Sequence, residues 1–181
     1  VEYFDTEALE VRRLENRECK FAYRESIFKQ ELRGRAIILA VEFRLSKIAK
    51  PNLGYGDVIK EVEARGEATP KSIREAISAI RSRKLPDTKV LGNAGSFFKN
   101  PIVERAVAEH LLAQYPDMPH YDVAGDTNSV KLAAGWLIDK SGLKGYREGH
   151  VGVHNRQALV LVNHGGATGD EVLHFAEFVC G

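Results

Sequence analysis

Between positions 50 and 69 the hydrophobic period of this chain switches from two residues to about 3.6, which limits the folds it can adopt. Before the switch apolar residues alternate, in VEYF, in LEVRRL and in AIILAVEFRL, where Ile37, Leu39, Val41, Phe43 and Leu45 interleave with smaller or polar partners. Such alternation predicts strands of one sheet. After the switch, Ile73, Ala76, Ile77 and Ile80 share one helical face. Thr69 is placed to cap that helix and Pro70 suits its first position. Arg81, Arg83 and Lys84 crowd its C-terminal end, where cations oppose the helix dipole, and Pro86 stops it.

Further along, Asn100 and Pro101 read as the cap and first turn of a second helix through VERAVAEHLLAQY, with Val103, Val107, Leu111 and Leu112 inward. The preceding GNAGSFFKNP then reads as a small-residue loop ending at a helix N-terminus. A third helix is expected over AAGWLIDKS, closed by Gly142, followed by a strand ALVLVN. Thr168 and Glu171 form a capping box for a last helix with Val172, Phe175, Ala176 and Val179 on its apolar stripe. The alternation of strands and helices argues for an α/β layer after the extended N-terminal part, so the fold class is α+β / α/β. The main candidate boundary is the KLPDT segment around Leu85 and Pro86, and a second is PNLGYG from Pro51.

Composition narrows the function classes. Twenty-six basic and 25 acidic side chains leave a net charge of +1, so no global field favours nucleic acid or an anionic membrane, and an anionic ligand needs a local basic site. Apolar runs such as AIILAV and ALVLV fall well short of the roughly 20 residues that span a bilayer, which makes a cytoplasmic protein the expectation. Cys19 and Cys180, far apart, read as free thiols. The chain opens VEYFD without an initiating methionine and stops within a helical pattern, so it reads as a piece of a longer protein.

Several residues are candidates for chemistry. In GNAGSFFKNP, Gly92, Ala94 and Gly95 carry little side-chain bulk, so backbone amides could approach a planar or phosphorylated ligand, and Ser96 adds a hydroxyl. The same residues also describe a turn with Phe97 and Phe98 in the core. Arg24, in FAYRESIFK beside an apolar strand, must reach solvent or a partner. Its fork suits a carboxylate or phosphate, and a surface pair with Glu25 or Glu31 is the alternative. Tyr55, between two glycines of LGYGD, is an exposed ring or a loop anchor. Lys84 could meet a pyrophosphate or simply cap its helix. His150 and His154 lie four apart, but the VGV between them is not helical and no partner recurs at ligand spacing, so no metal site is expected.

Taken together, YRESIF, LGYGD, RKLPD, GNAGSFFKNP, VKLAAGWLID with SGLKG, and VHNRQALVLVN occur in an order that resembles the UDP-N-acetylenolpyruvoylglucosamine reductase family, flavoenzymes of peptidoglycan precursor synthesis. The resemblance covers about position 19 to 163. It implies that residues 1–85 are the C-terminal part of an FAD-binding domain and residues 86–181 a substrate-binding domain truncated at its end. It implies FAD and NADPH as cofactors and the enolpyruvyl ether of UDP-N-acetylglucosamine as substrate. Ser96 matches the family's proton donor and Arg24 its active-site arginine, while Tyr55, Lys84, Asn100 and, less closely, Gln157 match substrate contacts. Tyr23, Arg24, Gly92, Gly95 and Ser96 fall against the flavin. The family's second catalytic acid is a glutamate beyond the last helix of this sequence, so Glu171 and Glu177 do not match it, and the remaining segments of the full-length enzyme become an expected partner.

Overall fold

The computed structural model of the chain describes residues 1–54 and 57–181, with Ala94 described by its backbone alone. Tyr55 therefore lies outside the described residues. The chain divides into two compact units, Val1–Lys50 and Pro51–Gly181. The division falls at the start of PNLGYG, and the KLPDT segment lies inside the second unit.

The first unit is a three-stranded antiparallel sheet of β1 (Glu2–Asp5), β2 (Glu10–Arg13) and β3 (Ala36–Ala40), in the order β2-β1-β3. Tyr3 and Asp5, two apart on the central strand, are buried on the same face, as the period of a strand requires. Asp5 is held by a two-pronged contact from Arg35, with Nε and Nη2 each 2.8 Å from a carboxylate oxygen, and by the amides of Glu7 and Ala8. The Arg35 guanidinium keeps its carboxyl well below the usual carboxylate range, against the opposing effect of burial. The alternation through Leu45 predicted a longer third strand, but pairing ends at Ala40 opposite Glu2, where the central strand itself begins. Without a partner for its backbone, the rest of the run forms no strand. Ile37, Ile38 and Leu39 on β3, and Val41, Phe43 and Leu45 beyond it, are all exposed.

The second unit begins with α1 (Val58–Glu63) and α2 (Pro70–Lys84), which pack through Val58, Val62 and Ala76. Thr69 caps α2 as expected, its hydroxyl accepting from the Ser72 amide while the Ser72 side chain returns the bond. Next come β4 (Gly92–Ser96), β5 (Ile102–Glu104), α3 (Arg105–Gln114), β6 (His120–Val123), β7 (Asp126–Leu132) and α4 (Ala134–Lys140). The unit closes with β8 (Arg147–Glu148), β9 (Val151–Val153), β10 (Val160–Asn163) and α5 (Gly169–Cys180).

Two antiparallel sheets result, β4-β10-β9-β8 and β5-β7-β6. Strands and helices alternate along the sequence as expected, yet the strands pair antiparallel, so the α+β description is the one that applies. One apolar cluster joins β9 and β10 to α5 through Val151, Val153, Leu161, Phe175 and Ala176, and the other joins β7 to α3 through Val130, Leu132 and Ala108. Helix α4 serves both, giving Ile138 to the first and Trp136 and Leu137 to the second. The Thr168–Glu171 capping box of α5 is present, and Val172, Phe175, Ala176 and Val179 face the core.

Two local expectations need correction. Residues 102–104 pair with Ser129, Val130 and Lys131 of β7, so the second helix starts only at Arg105 and Asn100 is not its cap. Val103, Leu111 and Leu112 pack inward, whereas Val107 is exposed. The segment GNAGS is a strand rather than a loop: hydrogen-bond partners on β10 override a composition that favours turns.

Candidate functional site

The strand β4 carries a bulge just before Ser96. Val160 faces Ser96 and Val162 faces Asn93, so β4 holds one more residue than β10 over that interval. The extra length is absorbed at Gly95, whose φ of 74° lies in the left-handed region that only glycine enters without strain. Among the described residues beyond its two chain neighbours, no atom lies within 4 Å of the position a Cβ would take on Gly95, so the glycine answers to backbone conformation and not to crowding. The bulge leaves Ser96 exposed at the end of the ladder.

The amides around Ser96 are already engaged. Gly95 N–H donates to Asn93 Oδ1 at 3.0 Å and Phe97 N–H donates to the Leu159 carbonyl at 2.7 Å. The expectation that these small residues free their backbone amides for a ligand therefore does not hold at Gly95. What the stretch offers instead is an open, side-chain-free face at Gly95 beside a hydroxyl. Phe98 packs against the core cluster, but Phe97 is exposed.

Asn100 acts at a helix end other than the one expected. Its Oδ1 accepts the Ala134 N–H, 3.0 Å away, and so satisfies a first-turn donor of α4. Gln157 approaches the same turn: its Oε1 is 3.8 Å from where a Cβ on Gly135 would sit, and its carbonyl accepts the Val160 N–H at 3.0 Å. Val160 is the residue opposite Ser96. Ser96, Asn100 and Gln157 are thus gathered where β4 and β10 meet the start of α4.

Lys84 ends α2 and lies 3.7 Å from Asp57, a contact between two half-exposed side chains that a ligand anion could replace. Beyond it, Leu85, Pro86 and Asp87 form one wall of a cleft of about 690 Å³ whose other wall includes His154, Asn155 and Arg156. His154 is buried, and burial pushes its pKa down, with a smaller contribution from Arg156. It is thereby separated in role from His150, which pairs with Glu171 at 3.0 Å. Among the described residues no group of three or more histidine, cysteine, aspartate or glutamate side chains is placed to hold a metal ion.

Tyr23 and Arg24 belong to the first unit, where Ala22 and Glu25 exchange backbone hydrogen bonds at 3.0 and 3.2 Å and leave these two residues at the tip. They form a tight turn, not part of a strand. Arg24 has a φ of 52°, a conformation costly for a residue with a Cβ. Glu31, one of its suggested surface partners, pairs with Lys20.

Asn93 is the residue of this region that sequence reasoning missed. It was legible only as an asparagine two positions before a glycine, a pattern in which the side chain can accept from the backbone ahead of it.

Fold and site together define an α+β domain that sets the Asn100 and Gln157 side chains at the first turn of α4 and Ser96 at the exposed end of the neighbouring strand. The C-terminal domain model of UDP-N-acetylenolpyruvoylglucosamine reductase matches residues 86–180. The chain belongs to that family. It is 54% identical over 168 residues to the UDP-N-acetylenolpyruvoylglucosamine reductase of Chromobacterium violaceum, covering 92% of this chain and 49% of the relative. The enzymes so named from Neisseria gonorrhoeae and Burkholderia ambifaria are 50% and 54% identical, over 99% and 89% of this chain and 52% and 47% of their own lengths. The chain spans about half the length of the curated relatives it matches.

Proposed function

We propose that this chain is the substrate-binding part, with the adjoining tail of the FAD-binding domain, of an oxidoreductase that reduces UDP-N-acetylglucosamine enolpyruvate to UDP-N-acetylmuramate. The placement of Ser96, exposed beyond a glycine bulge and grouped with Asn100 and Gln157, is the observation that carries this reading. The family boundary at residue 86 supports the division into 1–85 and 86–181.

In this reading the residues matched to the flavin contacts, Tyr23, Arg24, Gly92, Gly95 and Ser96, would hold a flavin that, once reduced by NADPH, would supply hydride to the terminal methylene of the enolpyruvyl group. The space at the Cβ position of Gly95 leaves room on that side for the edge of a planar ring. Negative charge then gathers on the adjacent carbon and its carboxylate, and the Arg24 guanidinium stabilises it. Ser96 delivers the proton to that carbon from its hydroxyl. A serine is a weak acid, so it acts only when held against a strongly basic carbon, and a bulge locked into a sheet provides such placement. Lys84, Asn100 and Gln157 bind the uridine diphosphate portion, and Tyr55 joins them.

The 181-residue chain spans about half the relatives' length and is inactive by itself in this reading; the alternative is a noncatalytic module that retains nucleotide contacts. The exposed apolar residues of the first unit support this, because a sheet face carrying Ile37 and Leu39 is normally covered. Absorbance and calorimetry on the purified chain test it. The expected result is heat on addition of the enolpyruvyl nucleotide without stoichiometric flavin bands. Stoichiometric flavin together with NADPH oxidation would overturn it.

A further inference from the structure

We propose that Asn93 is a positioning residue for Ser96: its side-chain amide holds the left-handed bulge that presents the hydroxyl and ties that bulge to the segment following Lys84. The inference rests on the reading of Ser96 as proton donor.

Both ends of the Asn93 amide are used. Oδ1 accepts the Gly95 N–H at 3.0 Å, and Nδ2 donates to the Leu91 carbonyl at 2.9 Å and to the Pro86 carbonyl at 3.4 Å. The first bond matters because Gly95 is where the ladder with β10 loses its register. As part of the bulge it is out of register with β10, and nothing lies within 4 Å of its Cβ position. A glycine that loses such a hydrogen bond is freer to leave φ of 74°, and any rotation there moves the next residue, Ser96.

The second set of bonds reaches a rigid partner. Asp87 closes the 86–91 segment on itself, accepting the Val90 and Leu91 amides on its carbonyl at 3.0 and 2.8 Å and the Lys89 amide on Oδ1 at 2.9 Å. That segment follows directly from α2, which ends at Lys84. Asn93 therefore fastens the serine to the same frame that carries the lysine. An amide is needed for both tasks: aspartate keeps the acceptor for Gly95 but turns a carboxylate toward two carbonyl oxygens.

Two measurements test this, using Asn93→Ala and Asn93→Asp. In the 181-residue chain, the Gly95 amide should exchange its hydrogen about fivefold faster or more in Asn93→Ala, the equivalent of one lost hydrogen bond, and stay protected in Asn93→Asp. In the full-length reductase bearing these residues, reoxidation of the flavin by the enolpyruvyl nucleotide should slow about a hundredfold in Asn93→Ala, with half-saturating substrate little changed. Asn93→Asp should fall between that and the parent, and it carries the test if the alanine variant does not fold. Flavin reduction by NADPH should be unaffected throughout. An unchanged Gly95 exchange rate, or a parental reoxidation rate in a folded Asn93→Ala enzyme, overturns the assignment. Ser96→Ala is run alongside: parental reoxidation there removes the proton-donor reading and the positioning role with it, while the exchange measurement still reports separately on the bulge.

Discussion

Asn100 Oδ1 accepts the backbone N–H of Ala134, 34 residues away, at 3.0 Å, joining the end of the GNAGSFFKNP stretch to the helix that serves both cores of the second unit. A residue expected to touch a ligand thus holds the fold through its Oδ1, and its Nδ2 is the atom proposed to meet the nucleotide. Asn100→Ala should lower stability by about 1 kcal/mol, the usual cost of a lost cap, seen as a lower denaturant midpoint. Asn100→Asp keeps an acceptor for Ala134 and should retain that stability, yet bind the uridine diphosphate nucleotide less tightly by calorimetry because Nδ2 is gone. Full stability of Asn100→Ala would remove the capping role.

The two glycines of β4 should respond differently to alanine. At Gly92 the new Cβ would sit 3.5 Å from Asn163 Cβ, an ordinary contact, so Gly92→Ala should stay within about 0.5 kcal/mol of the parent. At Gly95 there is space but φ is 74°, and Gly95→Ala should cost about 1–2 kcal/mol. Chemical denaturation of the two variants checks the order, and equal losses would contradict the role assigned to the bulge.

The cap of α5 should make stability depend on pH in acid. The Thr168 amide, then His150 and the Thr168 hydroxyl, pull the Glu171 carboxyl down from 4.5 to about 2. Because the folded value lies below the unfolded one, its contribution is fully present above about pH 4.5 and disappears as pH falls through about 2. Melting temperatures of the parent and Glu171→Gln should therefore converge as pH drops through that window. A gap that stays constant would mean that Glu171 is not the titrating group.

Arg24, proposed to stabilise the charge that develops on the substrate, stands at the tip of a two-residue turn with a φ of 52°. In the full-length enzyme, Arg24→Ala should slow flavin reoxidation by substrate about a hundredfold to a thousandfold, through loss of charge stabilisation. Arg24→Lys should recover only part of this, since an ammonium cannot make the two parallel bonds of a guanidinium. An unchanged rate in Arg24→Ala would take it out of the mechanism.

How far the sequence could be read depended on the range of the interactions involved. The α2 helix with Thr69 and Pro70, the Thr168–Glu171 box and the strand at 160–163 follow from neighbours within a few positions, and all are present. The strand character of GNAGS, the false start of the second helix at Asn100 and the shortness of β3 each depend on a partner strand far along the chain. No local pattern encodes those pairings. At the site, the family motifs pointed to Ser96 and Asn100, but the bond that sets the bulge comes from Asn93, whose importance appears only once Gly95 is seen at positive φ.

Stopped-flow kinetics of the two half-reactions in the full-length enzyme test most directly the proposal that Ser96 donates the proton that completes substrate reduction. Ser96→Ala should leave flavin reduction by NADPH close to the parental rate and slow reoxidation by the enolpyruvyl nucleotide about a thousandfold. Equal loss in both half-reactions, or none in reoxidation, would contradict it.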